Sequence, residues 1–86
     1  MSANKLHQEI ITRCKAVGKR YWAGDNISDV IRDGEMEQLI DEATEAFEGV
    51  LDTLIIDRNE DPNSHGTARR LAKMYFNEIM AGRYQP

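Results

Sequence analysis

Two adjacent arginines, Arg69 and Arg70, stand near the start of the stretch GTARRLAKMYFNEIMAGRY at residues 66–84. A guanidinium one turn into a helix sits beside free backbone N–H groups and the positive end of the helix dipole. Its planar fork of donors never loses its charge, so the combination suits phosphate. Two arginines on a helix are also ordinary solvated surface, and the residue types alone leave both readings open. Lys73, one turn beyond Arg70, reads as structural or peripheral, and Arg69 as surface.

The other residues with chemistry to offer are few. His7 and Cys14 are seven positions apart and would share one face of a helix. A zinc site takes four ligands, and nothing else lies at suitable spacing. Cys14 therefore reads as a small buried apolar group, and His65, in a polar stretch, as a solvent-exposed loop residue. Because Cys14 is the only cysteine, no disulfide can form within the chain, which points to a reducing compartment.

Composition narrows the classes. The 86 residues carry 11 basic and 15 acidic side chains, a formal net charge of −4. That balance argues against a general nucleic-acid binder, while leaving room for a local basic patch. With 41% hydrophobic and 30% charged residues, the chain is globular in type, with a thin core. Its N-terminal residues lack the apolar run of a signal peptide, and no segment approaches the roughly 20 residues that cross a bilayer. A cytoplasmic protein with no membrane partner is expected.

Three helices must position these residues. The first is expected over roughly 3–17, with Ser2 as cap and Leu6, Ile10, Cys14 and Val17 along one stripe, ending at Gly18. A short turn follows, capped by Asn26 or Ser28, with Ile27, Val30 and Ile31 packed beneath it. The second helix, from Glu35 to about Leu54, sets Met36, Leu39, Ile40, Ala43, Phe47, Val50, Leu51 and Leu54 at the 3.6-residue period. Its acidic residues fall on the other side, expected to be solvated. IDRNEDPNSHG is a loop on turn chemistry. The third helix starts at Thr67, whose hydroxyl is expected to cap it, and runs through Ala68, Leu71, Ala72, Tyr75 and Ile79 to a left-handed Gly82. It is apolar on two sides, since Met74 and Met80 cannot share a face with Leu71, Tyr75 and Ile79. The fold class is all-α: two main antiparallel helices plus a weaker N-terminal one.

The segment TARRLAKMYFNEIMAGRY resembles the N-terminal helical region of GTP cyclohydrolase I. Thr67, Arg70, Ala72, Lys73, Met74 and Tyr75 match the family helix in register, and FEGVLDTLIIDRNEDPNSHG resembles its leading helix and polar loop. The likeness covers residues 35–86; residues 1–34 form a variable segment without a motif. Ala68 replaces the proline of many members, a change that keeps helix propensity.

The resemblance implies an enzyme that converts GTP to 7,8-dihydroneopterin triphosphate and formate. It works as a decameric ring with active sites between subunits, its N-terminal helices packed around a barrel of sheet. It further implies that Arg70 contacts the triphosphate of GTP. The family's zinc ligands and catalytic residues lie downstream of this helix and are not among these 86 residues. The expectation is thus an N-terminal helical domain, not catalytic alone, that holds no metal and supplies Arg70 and assembly contacts. Its partners would be the C-terminal catalytic domain or other subunits, with zinc only in that C-terminal region. The alternative is a standalone helical module that binds or modulates a full-length partner, suggested by the two-sided third helix.

Overall fold

The computed structural model describes residues 5–86, so the expected Ser2 cap lies outside the described residues. The chain is all-α. Helix α1 spans Leu6–Ala16, α2 spans Glu35–Thr53 and α3 spans Thr67–Met74, continued by a π-helical turn over Tyr75–Ile79. Short 3-10 turns occupy Ser28–Val30, Pro62–Ser64 and Ala81–Arg83.

α1 buries Leu6, Ile10 and Cys14, spaced by four. Val17 was expected on the same stripe but is exposed, because the helix stops one residue before it. Gly18 takes a left-handed φ of 67°. Its N–H donates to the Lys15 carbonyl at 3.2 Å, and that of Lys19 to the Cys14 carbonyl at 2.8 Å. These crossed bonds satisfy the last free carbonyls and end the helix.

The opposite end of α1 is capped from a distance. Glu42, in the middle of α2, accepts the Leu6 N–H at 2.6 Å and the His7 N–H at 3.2 Å. The His7 ring Nδ1 lies 2.6 Å from the same carboxylate. Burial alone would push Glu42 upward, but the His7 and Leu6 donors outweigh it and its pKa is lowered. A carboxylate at a helix N-terminus satisfies orphan donors and opposes the dipole.

The acidic side of α2 is therefore not simply solvated. Six of its seven carboxylates pair with a lysine or arginine, and the seventh, Glu42, meets the His7 ring. The least exposed pair joins Glu35 to Arg13 of α1 through two bonds of 2.6 and 2.7 Å. Arg13 also donates to the Val30 carbonyl at 2.9 Å, and Glu35 accepts the Arg32 N–H at 2.7 Å. One node thus ties α1, the 28–30 turn and the start of α2.

The core is small: Leu6, Ile10, Cys14, Ile27 and Leu39, with Phe76 and Tyr84 packed against it. Each fully buried Leu or Ile is worth about 1.5–3 kcal/mol. α3 packs along α2, and its Ala68 and Ala72 are buried. Small side chains let the two helices approach closely.

Two features of α3 differ from expectation. Thr67 does not cap it; its hydroxyl donates instead to the Asn63 carbonyl at 3.3 Å, and the N-cap residue is Gly66. Nor does the α-helix continue to a left-handed Gly82. It widens at Tyr75, and the Met80 N–H returns to the Tyr75 carbonyl at 2.9 Å. The extra residue in that turn sends Phe76 toward Tyr84 (ring centroids 4.9 Å apart) and leaves Tyr75 stacked on Phe47 (5.6 Å). The tail is then sewn to the first connection. Arg83 donates to the carbonyls of Tyr21, Trp22 and Asp25, and the Ile27 N–H to the Arg83 carbonyl at 2.7 Å. The Asn26 amide donates to the carbonyls of Gly82 and Gln85.

α2 ends in the same crossed pattern as α1, with a different residue in the strained place. Ile55 adopts φ 63°, donating to the Asp52 carbonyl at 3.0 Å, and Ile56 donates to the Leu51 carbonyl at 3.1 Å. A β-branched side chain in the left-handed region costs roughly 1–2 kcal/mol. Ile55→Gly should therefore stabilise the protein by about 1 kcal/mol, seen as a rise of some 4–8 °C in Tm; a fall would show that the turn is unstrained.

The Arg13–Glu35 node predicts a pH dependence. The Arg13 hydrogen bonds, opposed by burial and helped by the Arg32 N–H, lower the Glu35 carboxyl from 4.5 to about 2. The folded value lies below the unfolded one, so this stabilisation is complete above about pH 4.5 and is lost as pH falls through about 2. Glu35→Gln should lower Tm by about 5–10 °C at pH 7, with the gap to the parent protein closing as the pH approaches 2.

Candidate anion site at the start of α3

Gly66 takes a left-handed φ of 76° and turns the polar loop into α3. No side chain caps the helix, so its first-turn N–H groups face outward with the positive end of the dipole. Successive residues on a helix differ by about 100° in direction, and the two arginines accordingly go to different places.

Arg69 turns onto α2. Its guanidinium donates to Asp41 at 2.7 Å and to Glu37 at 3.2 Å. It was expected as surface and stays part-exposed, but it spans to the acidic face of α2, where both carboxylates are themselves largely exposed. Arg70 turns away and is exposed. Its Nη2 lies 3.4 Å from the Thr67 hydroxyl, a long contact, and a Cβ at Gly66 would come within 3.2 Å of its Nη1. The side chain thus folds back over the first turn of its own helix. Among the described residues no carboxylate is within ion-pair distance of it. Lys73, one turn on, is also exposed.

A cavity of about 430 Å³ opens on the α2 side of the same helix end, lined by Thr44, Glu48, Arg58, His65, Gly66 and Arg69 among others. Its arginines are already neutralised: Arg58 holds Asp52 at 2.8 Å and Glu48 at 3.5 Å, and Arg69 holds its own pair. The cation available to an anion lies outside this cavity, at Arg70. His65 lies on the loop with its ring Nε2 3.2 Å from the Asn59 carbonyl oxygen.

The residues that could ligate a metal are kept apart. Cys14 is 1% exposed within the apolar core, His7 faces Glu42, and His65 sits on the far loop. Among the described residues no three of His, Cys, Asp or Glu converge. The cyclohydrolase resemblance places that family's zinc ligands downstream of this helix, outside these 86 residues.

Sequence reasoning singled out Arg70 and missed the residues that orient its helix: Arg69 with Glu37 and Asp41, and Arg83 with the carbonyls of the first connection. A signal for the first existed in the run of carboxylates along α2, which needs cations somewhere. Compared with known proteins, the chain matches no protein-family model, no curated protein and no solved structure. No helix among the described residues is long and apolar enough to cross a membrane.

The contrast between glycine and arginine here is measurable. Gly66→Ala forces a side chain into the left-handed region and against Arg70, and should cost about 1 kcal/mol, some 4–8 °C of Tm. Arg70→Ala should shift Tm by no more than about 2 °C, since an exposed guanidinium without a carboxylate contributes little to stability.

Proposed function

We propose that this chain is the N-terminal helical region of a GTP cyclohydrolase I-like enzyme, in which Arg70 contacts the triphosphate of GTP. The reading rests on the register of Thr67, Arg70, Ala72, Lys73, Met74 and Tyr75 with that family's helix. The single observation that carries it is the state of Arg70. It is exposed at an uncapped helix start, with no carboxylate partner among the described residues, while Arg69 beside it is fully engaged. A guanidinium so placed is ready to form charge-assisted bonds with phosphate oxygens without first breaking an ion pair. The chain would bind and position; ring opening would belong to a zinc-bearing C-terminal region.

The test is to co-express the chain with a cyclohydrolase catalytic region and follow pterin product by fluorescence. Losing one charge-assisted contact is worth about 1.5–3 kcal/mol, so Arg70→Ala should lower kcat/KM for GTP by about 10–100-fold. Tm should stay unchanged, and Arg70→Lys should recover part of the loss. Unaltered kcat/KM in Arg70→Ala, or no pterin with the parent chain, would remove the reading.

One observation favours a second reading, a non-catalytic helical module that binds a partner. Val50, Leu54, Ile55, Tyr75 and Ile79 are large apolar residues left exposed. Under that reading the chain associates with intact cyclohydrolase and changes its rate, while Arg70→Ala leaves the association intact.

A further inference from the structure

The end of α2 departs from what stability alone would select in two ways at once. Ile55 combines a left-handed backbone with 92% exposure, and the adjoining Leu54 and Val50 are 64% and 50% exposed. All three occupy the last turn of α2 and its cap, so they form one continuous apolar knob. Phe47, one turn back on the same stripe as Val50 and Leu54, extends it toward Tyr75, on which it stacks. A contiguous apolar surface of this kind on a small protein marks an interaction site more often than it marks idle surface.

The charges around the knob identify what it fits. Residues 48–61 hold five carboxylates and a single cation, Arg58. Arg58 is spent on Glu48 and Asp52. That leaves Asp57, Glu60 and Asp61, together with the negative end of the α2 dipole. Two copies meeting knob to knob through a two-fold axis would bring these acidic rims face to face, which is repulsive. We infer that the Val50–Leu54–Ile55 knob docks another protein through an apolar face bordered by lysine or arginine, in its simplest form a basic amphipathic helix. The apolar contact supplies the affinity, and the acidic rim supplies orientation and selects against acidic partners. The inference deepens the second reading, since it rests on the same exposed apolar residues, and it does not depend on the Arg70 assignment.

The probe is a labelled 18-residue helical peptide of leucine and lysine with the leucines on one face, set beside its leucine and glutamate counterpart and read by fluorescence anisotropy. The Leu/Lys peptide should bind, more weakly as salt rises, and the Leu/Glu peptide should not. Ile55→Gly and Leu54→Ser keep every charge and should each weaken binding at least tenfold. Because Ile55→Gly is expected to raise Tm, its loss of binding cannot be blamed on unfolding. Arg70→Ala should bind as the parent does. The inference is overturned if the two variants bind as tightly as the parent, which would mean attraction by charge alone. It is likewise overturned if the parent binds neither peptide, or if it forms dimers that Leu54→Ser dissolves, which would make a second copy the occupant.

Discussion

The fold depends on carboxylates of α2 reaching out to the other elements. α1 has 11 residues, too few to persist as an isolated helix in water. It buries only Leu6, Ile10 and Cys14. What fixes it is polar at both ends: Glu42 closes its N-terminus, and Glu35 holds Arg13 near its C-terminus. Neither interaction is a simple surface ion pair. The first satisfies backbone donors that would otherwise be orphaned, and the second is bidentate and mostly shielded, with side chains 15% and 13% exposed. Such pairs matter less for the energy of their formation than for the cost of leaving one partner alone.

The same logic orders α3. Arg69 clamps its first turn to Glu37 and Asp41, and two alanines allow close contact along its length. At its far end the π turn places Phe76 in the shared core, and Arg83 gathers three carbonyls of the first connection. α3 is therefore fixed at both ends by groups on other elements. Its one exposed guanidinium, Arg70, gains a defined position although it contributes nothing to the packing. The line from sequence to site runs through Arg69: one residue of helical rotation separates a structural arginine from an available one.

Local pattern made the elements legible. The 3.6-residue period marks α2, the spacing of Leu6, Ile10 and Cys14 marks the buried face of α1, and Gly18 marks its end. The polar composition of 56–66 marks the loop. Long-range pairing was not legible. Seven carboxylates on one helix do not say which of them meets Arg13, which caps α1 and which receives Arg69, because those partners are 22 to 36 residues away. The ends of α3 failed for a related reason. Thr67 has the chemistry of a cap, but the preceding turn offers its hydroxyl a carbonyl at Asn63. Gly82 suits a helix terminus, but the α-helix gives way at Tyr75 to a wider π turn. Gly82 lies inside the 3-10 turn Ala81–Arg83 that follows, where Asn26 and Arg83 tie the chain to the first connection. Ile55 could not be foreseen, since isoleucine is among the residues least expected at a left-handed position.

Domains of this size are stable by only about 5–15 kcal/mol, so a turn strained by roughly 1–2 kcal/mol is a considerable share of the total. Glycine at position 55 would relieve it. At Arg70 the neighbours three and four positions away are Gly66, Thr67, Lys73 and Met74. None is acidic, and Lys73 is a like charge, although an acid at such spacing would stabilise the helix by a few tenths of a kcal/mol. The other arginines are mixed: Arg13, Arg20, Arg58 and Arg69 have carboxylate partners, Arg83 is taken up by backbone carbonyls, and Arg32 is exposed with no side-chain partner among the described residues. A sequence that pairs four of its seven arginines with carboxylates and closes α1 with glycine has the means to do the same at 70 and 55. On the proposed readings, these are the two positions where binding, not folding, would account for the residue.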